Sequence, residues 1–168
     1  MKLAKYKACI CEGSAEEAIM DVLIDNHLLI FEREEMLEEQ VIRCREGKKF
    51  EEKYLRKGFM DKISVIRVLD SRRENFKISK AYENKVDVIE ILIIYNEGKY
   101  DDFKKSKLKP SDYCKRNHKM KEVKTYSFVK KYFSNPAILM DAIKKYYEMS
   151  RIPKGEYTLL DLINYNNS

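Results

Sequence analysis

Apolar positions repeat along the chain with two periods, and the changes between them divide it into elements. Residues 5–11, KYKACIC, read as a short strand that stops at Glu12-Gly13. Ser14 and Glu17 then form an S-x-x-E capping box. A helix follows over about 15–25, with Ala15, Ala18, Ile19, Val22 and Leu23 on one face. HLLIF, 27–31, reads as a second short strand. Residues 33–46 read as an amphipathic helix carrying Met36, Leu37, Val41 and Ile42, with Gly47 as its stop. A further helix is predicted over 49–57. Residues 62–69, KISVIRVL, give the clearest strand, apolar enough to be covered on both faces. A loop follows, with a short strand around Phe76–Ile78. The run 87–97, DVIEILIIYNE, suits strand or buried helix. Its length and its single mid-run acid, Glu90, favour helix. Helices are predicted over 99–108, 125–133 and 136–150, the last opened by Asn135-Pro136, and one more turn over 158–164.

This order predicts an α/β fold: a three-layer sandwich with a small, mainly parallel sheet plus C-terminal helices. The chain's 168 residues suit a single domain able to bury its own core. Only 5 Gly and 3 Pro argue against linker-rich and most all-β architectures. No apolar run approaches the roughly 18 residues of a membrane helix, and the N-terminus lacks the apolar stretch of a secretory signal. A cytoplasmic location without membrane association is the expectation. Cysteine usage agrees. Only Cys9 and Cys11 are close, and they are expected on opposite faces of their strand. Cys44, Cys114, His27 and His118 complete no zinc spacing, so reduced thiols are expected.

Charge is uneven. With 34 Lys+Arg against 28 Asp+Glu the net charge is +6. Residues 32–52 are acid-rich. Residues 99–131 are basic and interleaved with Tyr100, Phe103, Tyr113, Tyr126 and Phe128. That segment suits either a phosphate-backbone footprint, in which Lys107, Lys109, Lys115 and Lys124 would hold nucleic acid, or a solvated helical surface with inward aromatics.

The candidate chemistry lies at strand ends. In parallel sheets, sites form outside the carboxyl ends of the strands. Glu12 and Asp70 end the two best strands, and both are acids. Paired carboxylates are hard ligands suited to Mg²⁺ or Mn²⁺, which complete their shells with water and phosphate oxygens. Glu16, one turn into the first helix, could face the same site. The alternative is that Glu12 favours the helix N-terminus and Asp70 caps a turn.

The segment Ile10–Leu23, ICEGSAEEAIMDVL, resembles the first motif of the topoisomerase-primase (TOPRIM) fold, a hydrophobic strand followed by Glu-Gly and a helix. The form Glu12-Gly13-Ser14-Ala15-Glu16 is most similar to the TOPRIM domains of overcoming-lysogenization-defect nucleases and RloB-like defence proteins. The superfamily's second motif is a strand followed by Asp-x-Asp. Here the strand 62–69 is followed by Asp70-Ser71-Arg72, which matches the first Asp and not the second. A third acid of RloB-like chains would correspond to Glu90. The resemblance covers about 1–97 as a TOPRIM-like core, leaving 98–168 as a basic helical extension packed on it.

The resemblance implies a Mg²⁺-dependent nuclease, with a role in phage defence and, as partners, nucleic acid and a second copy or another defence protein. It implies Glu12 as ligand or general acid, Asp70 as principal metal ligand, and Glu16 and Glu90 as second ligands. Glu74 is a further substitute for the missing acid. Glu90 has the alternative of pairing with an Arg inside the fold. Arg72 places a cation where a ligand is expected. With Arg73 it could stabilise transition-state charge and grip phosphate, or belong to a solvated loop. Tyr113 as a strand-nicking nucleophile has little support among 12 tyrosines. The departure at Arg72 equally suits a catalytically inactive module that binds nucleic acid or regulates a complex.

Overall fold

A computed structural model describes residues 1–56, 61–69, 76–92, 125–148 and 152–166. The chain is an α/β sandwich around a three-stranded parallel sheet in the order β1-β2-β3. These strands are β1 (Tyr6–Cys11), β2 (Ile63–Leu69) and β3 (Val86–Leu92). β2 is central and buried at every residue, as its unbroken apolar pattern requires. The register sets Ile10 beside Arg67 and Arg67 beside Glu90.

One face of the sheet is covered by α1 (Ser14–Asp25), α3 (Thr125–Tyr132) and α4 (Pro136–Glu148), together with a 3₁₀ turn at Leu159–Leu162. Cys9, Cys11, Ile66, Val68 and Ile91 meet Ala18, Val22, Val129 and Ile143 there. The C-terminal helices thus pack on the core. Cys9 and Cys11 share this face, against the expectation of opposite faces, because positions two apart on a strand return to the same side. The other face carries Ala8, Ile10, Ile63 and Val65 under Ile42, Phe50, Leu55 and Phe76. Its cover is α2 (Gly47–Phe50), which continues as a π-helical turn at Glu51–Leu55. This agrees closely with the helix predicted at 49–57.

Six local expectations are corrected. Residues 33–46 form no amphipathic helix. They make 3₁₀ turns at Arg33–Glu35 and Leu37–Glu39 and then run extended. Glu38 and Glu39 have positive φ, and the following chain lies along the outer edge of β1. Ile42 donates its N–H to the Cys9 carbonyl (2.7 Å) and accepts from the Cys11 N–H (3.3 Å). An uncovered strand edge offers backbone partners that outcompete local helix propensity. Gly47 therefore opens a helix instead of ending one. A β-carbon there would stand 2.0 Å from the Lys77 carbonyl oxygen, so only glycine fits.

The stretch 27–31 is no sheet strand. After α1 the chain turns through His27 at φ 55°, with Leu28 N–H bonded to Leu23 O and His27 N–H to Ile24 O, a Schellman ending. Only an isolated bridge between Leu29 and Ile163 follows. Residues 76–79 are irregular where a short strand was expected. The run predicted as helix from 87 is strand β3 through Leu92, because the acid in its middle has a buried partner on β2. Residues 93–97 lie outside the described residues. Finally, Gly13 and not Ser14 is the N-cap, with no side-chain cap, and Glu17 bonds Arg43 instead of closing a capping box. The helix expected at 99–108 also lies outside the described residues.

Candidate functional site at the carboxyl end of β1

β1 ends at Cys11, and the chain turns at Glu12-Gly13 directly into α1. The turn is tight because Gly13 is extended (φ −134°, ψ 172°) and leaves room for a neighbour. That neighbour is the Glu16 carboxylate. A β-carbon on Gly13 would meet its Oε2 at 2.6 Å. Glu16 is only 3% exposed. Glu12 is half-buried, and its carbonyl accepts a hydrogen bond from Arg45 Nη2 at 3.0 Å. Two of the expected acids are therefore attached at one strand-to-helix junction.

Burial pushes the Cys11 thiol well above its ordinary pKa, with Cys9 and then Glu16 and Glu17 adding to the effect. It stays protonated near neutral pH.

Glu90 is placed elsewhere. It lies on β3, and its Oε1 accepts from Arg67 Nη1 at 2.5 Å. Arg67 is 1% exposed and stacks over the Phe76 ring, 4.8 Å from guanidinium carbon to ring centroid. Glu90 is two strands across and two residues back from Glu12, roughly 12 Å by strand geometry. The ion pair matches the alternative reading of Glu90. Asp70 directly follows Leu69 in the sequence. It lies outside the described residues, as do Arg72, Arg73, Glu74, Lys107, Lys109, Tyr113, Lys115 and Lys124.

A cleft of about 460 Å³ opens beside the junction. Cys11 and Glu12 form one side, and Ile42 and Cys44 line it from the extended edge segment. The cleft is also lined by Arg43, Arg45, Lys49 and Lys53, with Glu46 and Tyr54. These basic residues sit in or next to the stretch that composition marks as acid-rich, and sequence reasoning missed them. Periodicity reads 33–46 as a helix and composition reads 32–52 as one acid-rich stretch, so neither brings these residues together. The Arg56 N–H bonds Glu51 O, an i to i+5 closure that widens the turn. Lys49, Lys53 and Tyr54 all line the cleft.

Arg43 bonds Glu17, Lys49 bonds Glu46 at 2.6 Å and Lys53 bonds Glu38 at 2.6 Å. The bond to Glu38 holds the Lys53 ammonium above its ordinary pKa, and the bond to Glu46 does the same for Lys49. Both are charged at neutral pH. Tyr54 packs on Phe50 at 4.9 Å between centroids, and burial raises its phenol.

As a metal centre, the junction offers the carboxylates of Glu12 and Glu16, which are hard oxygen donors of the type Mg²⁺ takes. Among the described residues no group of three or more His, Cys, Asp or Glu side chains converges. Two carboxylates plus water and phosphate oxygens suffice for Mg²⁺, so the donors fit.

No family model, curated protein or solved structure matches the chain. No helix among the described residues is long and apolar enough to cross a membrane.

Proposed function

We propose that this chain is a small TOPRIM-like nucleic-acid-processing protein, a Mg²⁺- or Mn²⁺-dependent phosphodiester hydrolase. The observation that carries the reading is the Glu12-Gly13 junction, with the Glu16 carboxylate seated against Gly13, at the carboxyl end of a parallel strand and beside a cleft lined by basic residues. A bound divalent cation would polarise a phosphodiester and lower the pKa of a coordinated water. Glu12 and Glu16 would hold it, together with Asp70, the residue that follows β2 in the sequence. The basic residues of the cleft would hold the phosphate backbone next to those carboxylates, so that binding orients the ester before any bond changes. Among the described residues the thiols of Cys9, Cys11 and Cys44 are free. A place in phage defence, with a second copy or another protein as partner, follows from the resemblance alone.

A second reading has its own support. Arg72 stands where the family's second Asp is expected, and no third acid among the described residues joins Glu12 and Glu16. On this reading the chain binds nucleic acid without cleaving it.

Calorimetric titration with Mg²⁺ and Mn²⁺, with nuclease assays on single- and double-stranded DNA and RNA, separates the two. The hydrolase reading expects saturable metal binding and cleavage. Both should be lost in Glu12→Gln and Asp70→Asn while nucleic-acid affinity is kept. No metal binding up to roughly 10 mM, against the approximately millimolar end of known oxygen-ligand sites, leaves the binding module.

A further inference from the structure

We propose that the cleft lined by Arg43, Arg45, Lys49 and Lys53 is a phosphate-ester subsite that works without the metal. The proposal deepens the nucleic-acid reading above and takes the nature of its ligand from it. Three observations support it. First, the cleft's volume of about 460 Å³ lies within the range of small-molecule sites, large enough for one nucleotide unit. Second, four cationic side chains from two different elements converge on it against two lining carboxylates, Glu12 and Glu46. Third, the π turn at Glu51–Leu55 brings Tyr54 onto the cleft beside Lys49 and Lys53. Such turns recur at functional sites because they are less favourable than regular helix.

The existing ion pairs do not block the subsite. The side chains of Arg43, Lys49 and Lys53 are 62%, 68% and 57% exposed, and exposed pairs contribute little. A phosphate oxygen can replace each carboxylate, and the planar guanidinium of Arg43 can meet two oxygens at once. Ile42 and the Tyr54 ring give a sugar or base an apolar surface. Glu51, in the same π turn as Lys53 and Tyr54, is tied to a neighbouring segment of the chain, its carboxylate accepting from both the N–H and the hydroxyl of Ser79.

A phosphate ester can reach the cleft as part of a polynucleotide or as a free mononucleotide. The test uses fluorescence anisotropy of a labelled oligonucleotide of roughly 12 nucleotides, a length one small domain can cover. EDTA is present throughout, and a parallel arm titrates adenosine diphosphate. The variants are Lys49→Ala/Lys53→Ala and, as a control of equal charge, Lys62→Ala/Lys145→Ala, whose side chains pair with Asp87 and Asp141 away from the cleft. The cleft pair should weaken binding about tenfold or more and reduce the salt slope by about 1.5, the value for two lost phosphate contacts. The control pair should change affinity less than about twofold.

Loss confined to the oligonucleotide arm assigns a polynucleotide, and loss in the nucleotide arm assigns a free nucleotide. Equal loss in both pairs, no loss in the cleft pair, or no binding of either probe to the wild type overturns the subsite. If the alanine pair fails to fold, Lys49→Gln/Lys53→Gln keeps most of each stem and carries the same test. The hydrolase reading fails separately. A wild type that binds through the cleft but cleaves nothing with Mg²⁺ loses that reading and keeps the subsite.

Discussion

The Glu16 carboxylate fills the space where a β-carbon of Gly13 would stand, with Oε2 2.6 Å from that position. Gly13 is extended, a conformation open to any residue, so the space and not the backbone angle excludes a side chain. Gly13→Ala should push the Glu16 carboxylate away from the junction. The clash is with the end of a side chain, which can move, so stability should change by less than about 1 kcal/mol. On the proposed hydrolase reading, metal-dependent hydrolysis should fall at least about tenfold, roughly 1.4 kcal/mol of barrier. Unchanged activity at an unchanged melting temperature would remove Glu16 from the site.

Arg67 and Glu90 are an asymmetric pair, one 1% exposed and the other 49% exposed. Glu90→Gln leaves a buried guanidinium with a weaker partner. The expected loss is about 1–2 kcal/mol, below the range for buried pairs because Glu90 is half in water. Arg67→Met/Glu90→Met removes both charges and should recover most of that loss. Urea midpoints at constant m-value decide the matter. A double variant no more stable than Glu90→Gln would show that Arg67 stabilises through other contacts, such as its stacking on Phe76.

Gly47 is the tightest backbone approach among the described glycines. Gly47→Ala forces a methyl against the Lys77 carbonyl, which is backbone and gives way poorly. A loss of about 1–3 kcal/mol is expected, read as a lower melting temperature. If the proposed subsite binds an oligonucleotide, loss of that affinity should accompany it, since the same helix carries Lys49. A variant as stable as the wild type would mean that 76–79 can shift freely.

Acid should destabilise the fold through carboxylates that have cationic partners. Burial alone would raise the Asp25 carboxyl, but Lys130 and Arg33 outweigh it and hold the group below its usual value. Glu35 behaves likewise, with burial opposed by Lys7 and the Glu32 N–H. A depressed folded-state pKa adds stability above the unfolded value, about 3.9 for Asp and 4.3 for Glu, that is lost as pH falls through the folded value. The melting temperature should be nearly flat from about pH 7 to 5 and then drop. Asp25→Asn/Glu35→Gln should drop less steeply below about pH 4.5. A parallel decline in wild type and variant would assign the acid sensitivity to other groups.

The central strand, the first strand and helix, and the two C-terminal helices were legible because each is a single apolar pattern bounded by its own signals. Asn135-Pro136 opens α4 as read, with Asn135 Oδ1 accepting the Ala137 N–H. Glu12 and Glu16 were legible as candidates for the same reason. They follow a strand and a glycine. The segment 33–46 was misread because the spacing of Met36, Leu37, Val41 and Ile42 records burial and not backbone shape. The edge of β1 supplied the hydrogen bonds that made the segment extended. Strand β3 was misread because Glu90 was judged without Arg67, which lies 23 residues earlier in the sequence.

The sequence by itself determined the α/β class, the strand ends and the acids beside them, since these depend on local period and on which residue follows a strand. Only the tertiary structure decided that Glu90 faces an arginine, that Gly47 touches Lys77, and that four basic residues in or next to an acid-rich stretch line one cleft. Each depends on pairing between segments distant in sequence, and local periodicity records how far a residue is buried but not what it meets.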